Sequence, residues 1–95
     1  MKTNFQMIRE IKDYTPKSRF VTSQEEIEML KEHFGLDKMS VLELCNLRDM
    51  VVMMFTNYLE ESIEVDWEKH DKQMRGMQSI TAVIDAFKYK AGAEV

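Results

Sequence analysis

Apolar residues recur along this chain at spacings of three and four, the period of a helix buried on one side. Three glycines and a single proline divide that pattern into segments. The first segment, Asn4 to Tyr14, carries Phe5, Ile8 and Ile11 at helical spacing. Thr15-Pro16 stops it, because a residue before proline is disfavoured in the α region. Arg19-Phe20-Val21 reads as an extended connector with two apolar anchors. A second helix starts at Thr22-Ser23-Gln24-Glu25-Glu26, where Thr22 with Glu25, or Ser23 with Glu26, can form a capping box. It turns Ile27, Leu30 and Phe34 inward and ends at Gly35, with Leu36 closing the cap by an apolar contact.

Ser40-Val41-Leu42-Glu43 is another capping-box pattern and opens the longest segment, Val41 to Ser62. Leu44, Leu47, Val51, Met54 and Tyr58 alternate by three and four, as in a bundle seam. Leu42, Cys45, Val52, Phe55 and Leu59 form a second apolar row. The β-branched stretch Ile63 to Asp66 predicts a turn, with Asp66 capping a last helix from Trp67 to Lys90. The expected seam of that helix is Trp67, His70, Met74, Met77, Thr81 and Ile84, widened by Ile80, Val83 and Phe87. Gly76 sits inside it at a cost of about 1 kcal/mol relative to Ala, either because another backbone approaches closely or because the cost is tolerated.

These elements predict an all-α protein. It is one helical domain over residues 1–95, with a basic N-terminal helix and connector at 1–21 and a short helix at 22–35. The segments 40–62 and 66–90 form an antiparallel long-helix hairpin on which the two short N-terminal helices pack, making a small helical bundle. A continuous rod that pairs with its twin is the other arrangement of the two long segments.

Val51-Val52-Met53-Met54-Phe55 departs from one-sided amphipathicity. Five consecutive apolar residues encircle a helix, so this segment predicts cover on more than one side. The cover is either the rest of the chain or another molecule. The expected partner- or dimer-contacting residues are Met50, Val52, Met53, Phe55 and Leu59, with Leu44, Leu47, Val51, Met54 and Tyr58 facing the hairpin partner.

Charge sharpens the picture. Thirteen bases against seventeen acids give a net of −4, which does not favour a nucleic-acid binder. Residues 1–20 carry five bases against two acids, a net of +3, and residues 21–66 carry three bases against eleven acids, a net of −8. The basic segment can fold back on the acidic middle or pair with the middle of a second copy, or both can be solvated faces. The single cysteine, Cys45, makes no internal disulfide. Met1 to Tyr14 mixes charge with apolar residues, unlike a signal peptide. No apolar run approaches the ~20 residues that span a bilayer, so no membrane insertion is expected. The expected location is the cytoplasm. The nine methionines suit helix interfaces that must adapt to a partner, and equally serve as core filler.

No catalytic, cofactor-binding or metal-binding residue is expected. The chain has no phosphate-cradling glycine loop and no dinucleotide fingerprint. His33 and His70 are its two imidazoles, at no metal-ligand spacing with Cys45. His33 near a helix C-terminus suits the helix dipole. Pairs such as Glu28/Glu32 and Glu64/Glu68 have no reason for shifted pKa values on an exposed helix. The outline of Ile27 to Leu44 matches a helix-turn-helix, which makes a DNA-binding transcription regulator the alternative reading. Its would-be reading face, Asp37, Lys38, Ser40, Glu43 and Asn46, is acid-rich, whereas phosphate contacts need bases.

Three blocks carry a resemblance: Thr15-Pro16-Lys17-Ser18-Arg19-Phe20, Gly35-Leu36-Asp37-Lys38-Met39-Ser40, and Met77-Gln78-Ser79-Ile80-Thr81-Ala82-Val83-Ile84-Asp85. With them the chain resembles the small, acidic, Met-rich cytoplasmic regulatory proteins of T-even-type phages. The nearest of these with a nameable role is a cytoplasmic lysis-inhibition accessory protein, an antiholin that binds the soluble part of a holin. The resemblance carries no functional residue across. It implies a regulator that acts by binding, in possible contact with the soluble part of a membrane protein. Together the residues and the resemblance predict a non-catalytic interaction module that inhibits or regulates a protein partner and self-associates as a homodimer.

Overall fold

Four helices appear in the computed structural model, which describes residues 2–17, 23–60 and 67–93, the side chains of 58–60 and 93 excepted. They are α1 (Asn4–Ile11), α2 (Gln24–Phe34), α3 (Val41–Glu60) and α4 (Trp67–Ala93). A 3-10 turn, Leu36–Lys38, joins α2 to α3. No strand occurs among the described residues, so the chain is an all-helical small domain. The expected turn at residues 63–66, the Asp66 cap, the Thr22 cap and the Arg19-Phe20-Val21 connector lie outside the described residues.

The starts of α1, α2 and α3 are each set by a short polar side chain. Thr3 caps α1 in a reciprocal box: the Gln6 amide N–H donates to Thr3 Oγ1 at 3.2 Å, and the Thr3 N–H donates to Gln6 Oε1 at 2.9 Å. Ser23 caps α2 by accepting from the Glu26 N–H at 3.2 Å. Ser40 and Glu43 close the expected box at the start of α3, at 3.2 and 3.3 Å. Gly35 ends α2 in the left-handed conformation at φ 69°, and its N–H donates to the Lys31 carbonyl at 2.8 Å. Leu36 beyond it is buried.

α1 is shorter than its periodicity predicts, ending at Ile11 rather than Tyr14. The Tyr14 N–H closes a three-residue turn on the Ile11 carbonyl at 2.9 Å, and the chain then leaves the helix ahead of Pro16. The inward face of α1 is also rotated from expectation. Ile8 and Ile11 are buried with Met7 beside them, whereas Phe5 is half exposed.

The core draws on all four helices: Ile8 and Ile11 from α1, Leu30 and Phe34 from α2, four residues of α3, and Ile80, Val83 and Ile84 from α4, with Leu36 between α2 and α3. On α3 the buried row is Leu44, Leu47, Val51 and Phe55. From Leu44 to Phe55 the row advances eleven positions in three turns, 3.67 per turn, close to a straight helix and away from the 3.5 of a heptad seam. Phe55 therefore takes the core position predicted for Met54, which lies half-buried beside it. α3 is covered from two sides, by α4 along its length and by α1. The second half of α4 buries the expected Ile80, Thr81, Val83 and Ile84, and its first half differs. There Gln73 and Gly76 are buried, while Trp67, expected at the head of the seam, is 69% exposed.

Gly76 marks a close crossing. A Cβ at this position would overlap the carbonyl oxygen of Tyr14, so the chain leaving α1 lies directly on the α4 backbone. In an open helix, Gly76→Ala would stabilise by about 1 kcal/mol. Here the blocking atom is backbone, and the substitution is expected to destabilise by about 1–3 kcal/mol in urea unfolding. Stability equal to or above that of the parent would contradict the close crossing.

Candidate interaction surface and the Tyr14 clasp

The five expected contact residues do not share one face. At 100° per residue, Met50 lies on the opposite side of α3 from Val52. Met50 is half-buried and packs against the core, where the Asn4 side-chain amide donates to its sulfur at 3.8 Å. Val52 is half-buried and Met53 is 44% exposed. Phe55 is fully enclosed by its own chain, which corrects its placement on a contact face: the 3.67-residue drift of the buried row carries it into the core. The Leu59 side chain lies outside the described residues.

The outward row of α3 is instead Leu42, Asn46, Asp49 and Met53, all exposed. Leu42 and Met53 are three turns apart, about 16 Å along the helix. Beside this row, a groove of about 480 Å³ runs between α3 and α4, lined by Cys45, Arg48, Asp49, Asp85, Lys88 and Tyr89. Its floor is an ion cluster. Arg48 Nε lies 3.0 Å from Asp85 Oδ1 and donates to Oδ2 at 3.2 Å, and Lys88 Nζ lies 3.8 Å from Oδ1. Tyr89 is 86% exposed at one edge. Leu42, at 70%, stands one turn before Cys45. Tyr89 thus lines the groove, and Leu42 continues the α3 row that holds its lining residue Asp49.

The same face bears on the helix-turn-helix outline. The exposed first half of α3 presents Val41, Leu42, Glu43, Asn46 and Asp49, and the base among them, Arg48, is held by Asp85.

A second polar cluster joins α1, α2 and α4. Glu26 is buried at the start of α2 and collects donors from the chain around it. The Tyr14 hydroxyl donates to its Oε2, while the Lys17 N–H and the Ser23 hydroxyl each donate to Oε1 at 3.2 Å. Tyr14 also hydrogen-bonds Ser79, one turn beyond Gly76 on α4. Burial, then the bond to Glu26, pushes the Tyr14 phenol up to about 12. Charge-assisted bonds of this kind are the stronger ones. Nothing in the charge pattern distinguishes Glu26 from Glu25 beside it; the Ser23–Glu26 spacing was the available signal.

The histidines have structural surroundings. His33 Nε2 donates to the Met7 carbonyl at 2.9 Å, tying α2 to α1, and its ring meets Phe34 edge-on at 4.8 Å. His70 is half-buried beside Trp67, with ring centres 5.7 Å apart and Nδ1 3.8 Å from Asp71 Oδ1. Among the described residues, no group of three or more His, Cys, Asp or Glu side chains could hold a metal ion. No helix among them is long and apolar enough to cross a membrane. Compared with known proteins, the chain matches no family model, no curated protein and no solved structure.

The raised Tyr14 pKa fixes a sign. The folded state favours the neutral phenol, so the contribution is fully present below pH 10 and lost as pH rises through about 12. The stability difference between the protein and Tyr14→Phe, from denaturant unfolding, should be constant up to pH 10 and shrink between 10 and 12. A difference that stays flat across that window would contradict the Tyr14–Glu26 bond.

Proposed function

We propose that this protein is a non-catalytic interaction module, a regulator or inhibitor that self-associates and binds a protein partner through apolar helix faces. The observation that carries the reading is that two largely exposed side chains stand at the α3–α4 groove, Tyr89 in its lining and Leu42 one helical turn before its lining residue Cys45. Met53 extends the apolar surface along α3. Burying one large apolar side chain contributes about 1.5–3 kcal/mol, so three such anchors suffice for a weak dimer. Asp49 and the Arg48–Asp85–Lys88 cluster place both charge signs beside these anchors, a polar rim around an apolar contact.

The reading includes an antiparallel arrangement of the long helices. In its support, Arg48, in the first half of α3, pairs with Asp85, late in α4. Leu36, Asp37 and Met39, just ahead of α3, also share a recess with Phe87, Lys90 and Ala91 near the end of α4. Among regulators that work by binding, the phage antiholins that the chain resembles suggest the partner: the soluble part of a membrane protein, met in the cytoplasm.

Leu42→Glu combined with Tyr89→Glu tests the reading, because both side chains are exposed and their loss should leave the helical signal intact. Light scattering is expected to show a dimer for the parent and a monomer for the variant. Losing about 3 kcal/mol or more corresponds to at least ~100-fold weaker association. A parent that is monomeric at high concentration, or a variant that stays dimeric, would overturn the proposal.

A further inference from the structure

α1 is attached to the rest of the protein much as a bound peptide would be. It is eight residues long, too short to persist alone as a helix in water. Its adhesion comes from Ile8 and Ile11, both buried, with Met7 packed alongside. Its position is fixed by polar contacts to three other helices. Asn4 reaches the Met50 sulfur on α3, His33 of α2 donates to the Met7 carbonyl, and Tyr14 is clasped where α2 and α4 meet. The clasp has two parts. The Tyr14 carbonyl rests on Gly76, where no side chain fits, and the Tyr14 hydroxyl donates to the buried carboxylate of Glu26.

We infer that α1 occupies, in the free protein, the surface that a partner helix takes, and that the Gly76–Tyr14–Glu26 clasp governs access to it. The occupant is a short basic amphipathic helix with branched aliphatic residues three apart, the chemistry of Ile8 and Ile11. Charge agrees with this choice: residues 1–20 net +3, against −8 for residues 21–66. The inference rests on the proposal that the protein works through helix faces, and it names how one of those faces is controlled. An incoming helix restores the apolar burial that α1 gives up, so the exchange is close to balance in its apolar part. The clasp then sets the fraction of molecules with the surface open, and apparent affinity scales with that fraction.

The probe is a fluorescent peptide of this chain's residues 1–12, which carries Ile8 and Ile11 and stops short of the clasp, added to the full-length protein. The parent should bind it weakly, because its own α1 competes at an effective concentration on the order of mM. Gly76→Val cannot seat the Tyr14 carbonyl and should bind the peptide at least ~10-fold more tightly. Its amides at residues 5–11 should exchange faster while those at 44–55 stay protected. Adding Met50→Glu to Gly76→Val should abolish the gain. Tyr14→Phe keeps the ring and loses the bond to Glu26, and should shift affinity and exchange the same way by less. This variant decides the matter if Gly76→Val does not fold. Peptide affinity equal to the parent's in a variant whose α1 amides are exposed would overturn the inference. Protection of those amides equal to the parent's in both variants would also overturn it. Peptide binding and the light-scattering result vary independently, since Leu42 and Tyr89 are not part of the clasp.

Discussion

Covering α3 on two sides is the requirement from which the rest of the structure follows. Leu44, Leu47, Val51 and Phe55 are fully buried, and the residues between them are too apolar for a helix that leans on one neighbour. α4 covers one flank. A chain of 95 residues has little left for the other, and α1, with α2 packed against it, fills that place. A short domain buries a modest share of its surface, so each of these contacts is a large part of its stability. The Tyr14–Glu26–Ser79 cluster then has a clear purpose. It anchors the end of a helix that could not hold its position by two isoleucines alone.

That arrangement separates the greasy α3 residues into two kinds. Val51 and Phe55 serve the protein's own core. Met50 lies where α1 sits, and Met53 faces outward with Leu42 three turns away. A surface already covered by a segment of the same chain and a surface left open toward Tyr89 make different demands on a partner. The covered one asks for a helix that imitates α1, whereas the open one asks for an apolar patch bearing both charge signs.

Most of the helical architecture was legible in the sequence because its signals are local. Ser40 with Glu43 and Gly35 after Phe34 act within a turn of themselves, and the structure has both caps where the spacing puts them. The facing of each helix was less legible, because it depends on the exact period. A drift from 3.5 to 3.67 residues per turn moves Phe55 into the core and Met54 to its edge, and on α4 the expected face holds at Thr81 and Ile84 but not at Trp67. The clasp was hardest to read. Gly76 hinted at a close approach, but Tyr14, Glu26 and Ser79 come together only once three helices are in place, and the Ser23–Glu26 spacing that marks the buried glutamate has an equal in Thr22–Glu25. Leu42 stood in the expected second apolar row, but its place near the groove that Tyr89 lines depends on how α3 lies against α4.

The claim that α1 completes the cover of α3 is tested most directly by Ile8→Ala in the intact chain, followed by denaturant unfolding. Ile8 is a full member of the core. The account predicts a loss of about 2–5 kcal/mol, the range for removing a buried isoleucine side chain. A loss below about 0.5 kcal/mol, the range of surface substitutions, would mean that α1 adds nothing to the core and that α3 is sheltered by α4 alone or by another molecule.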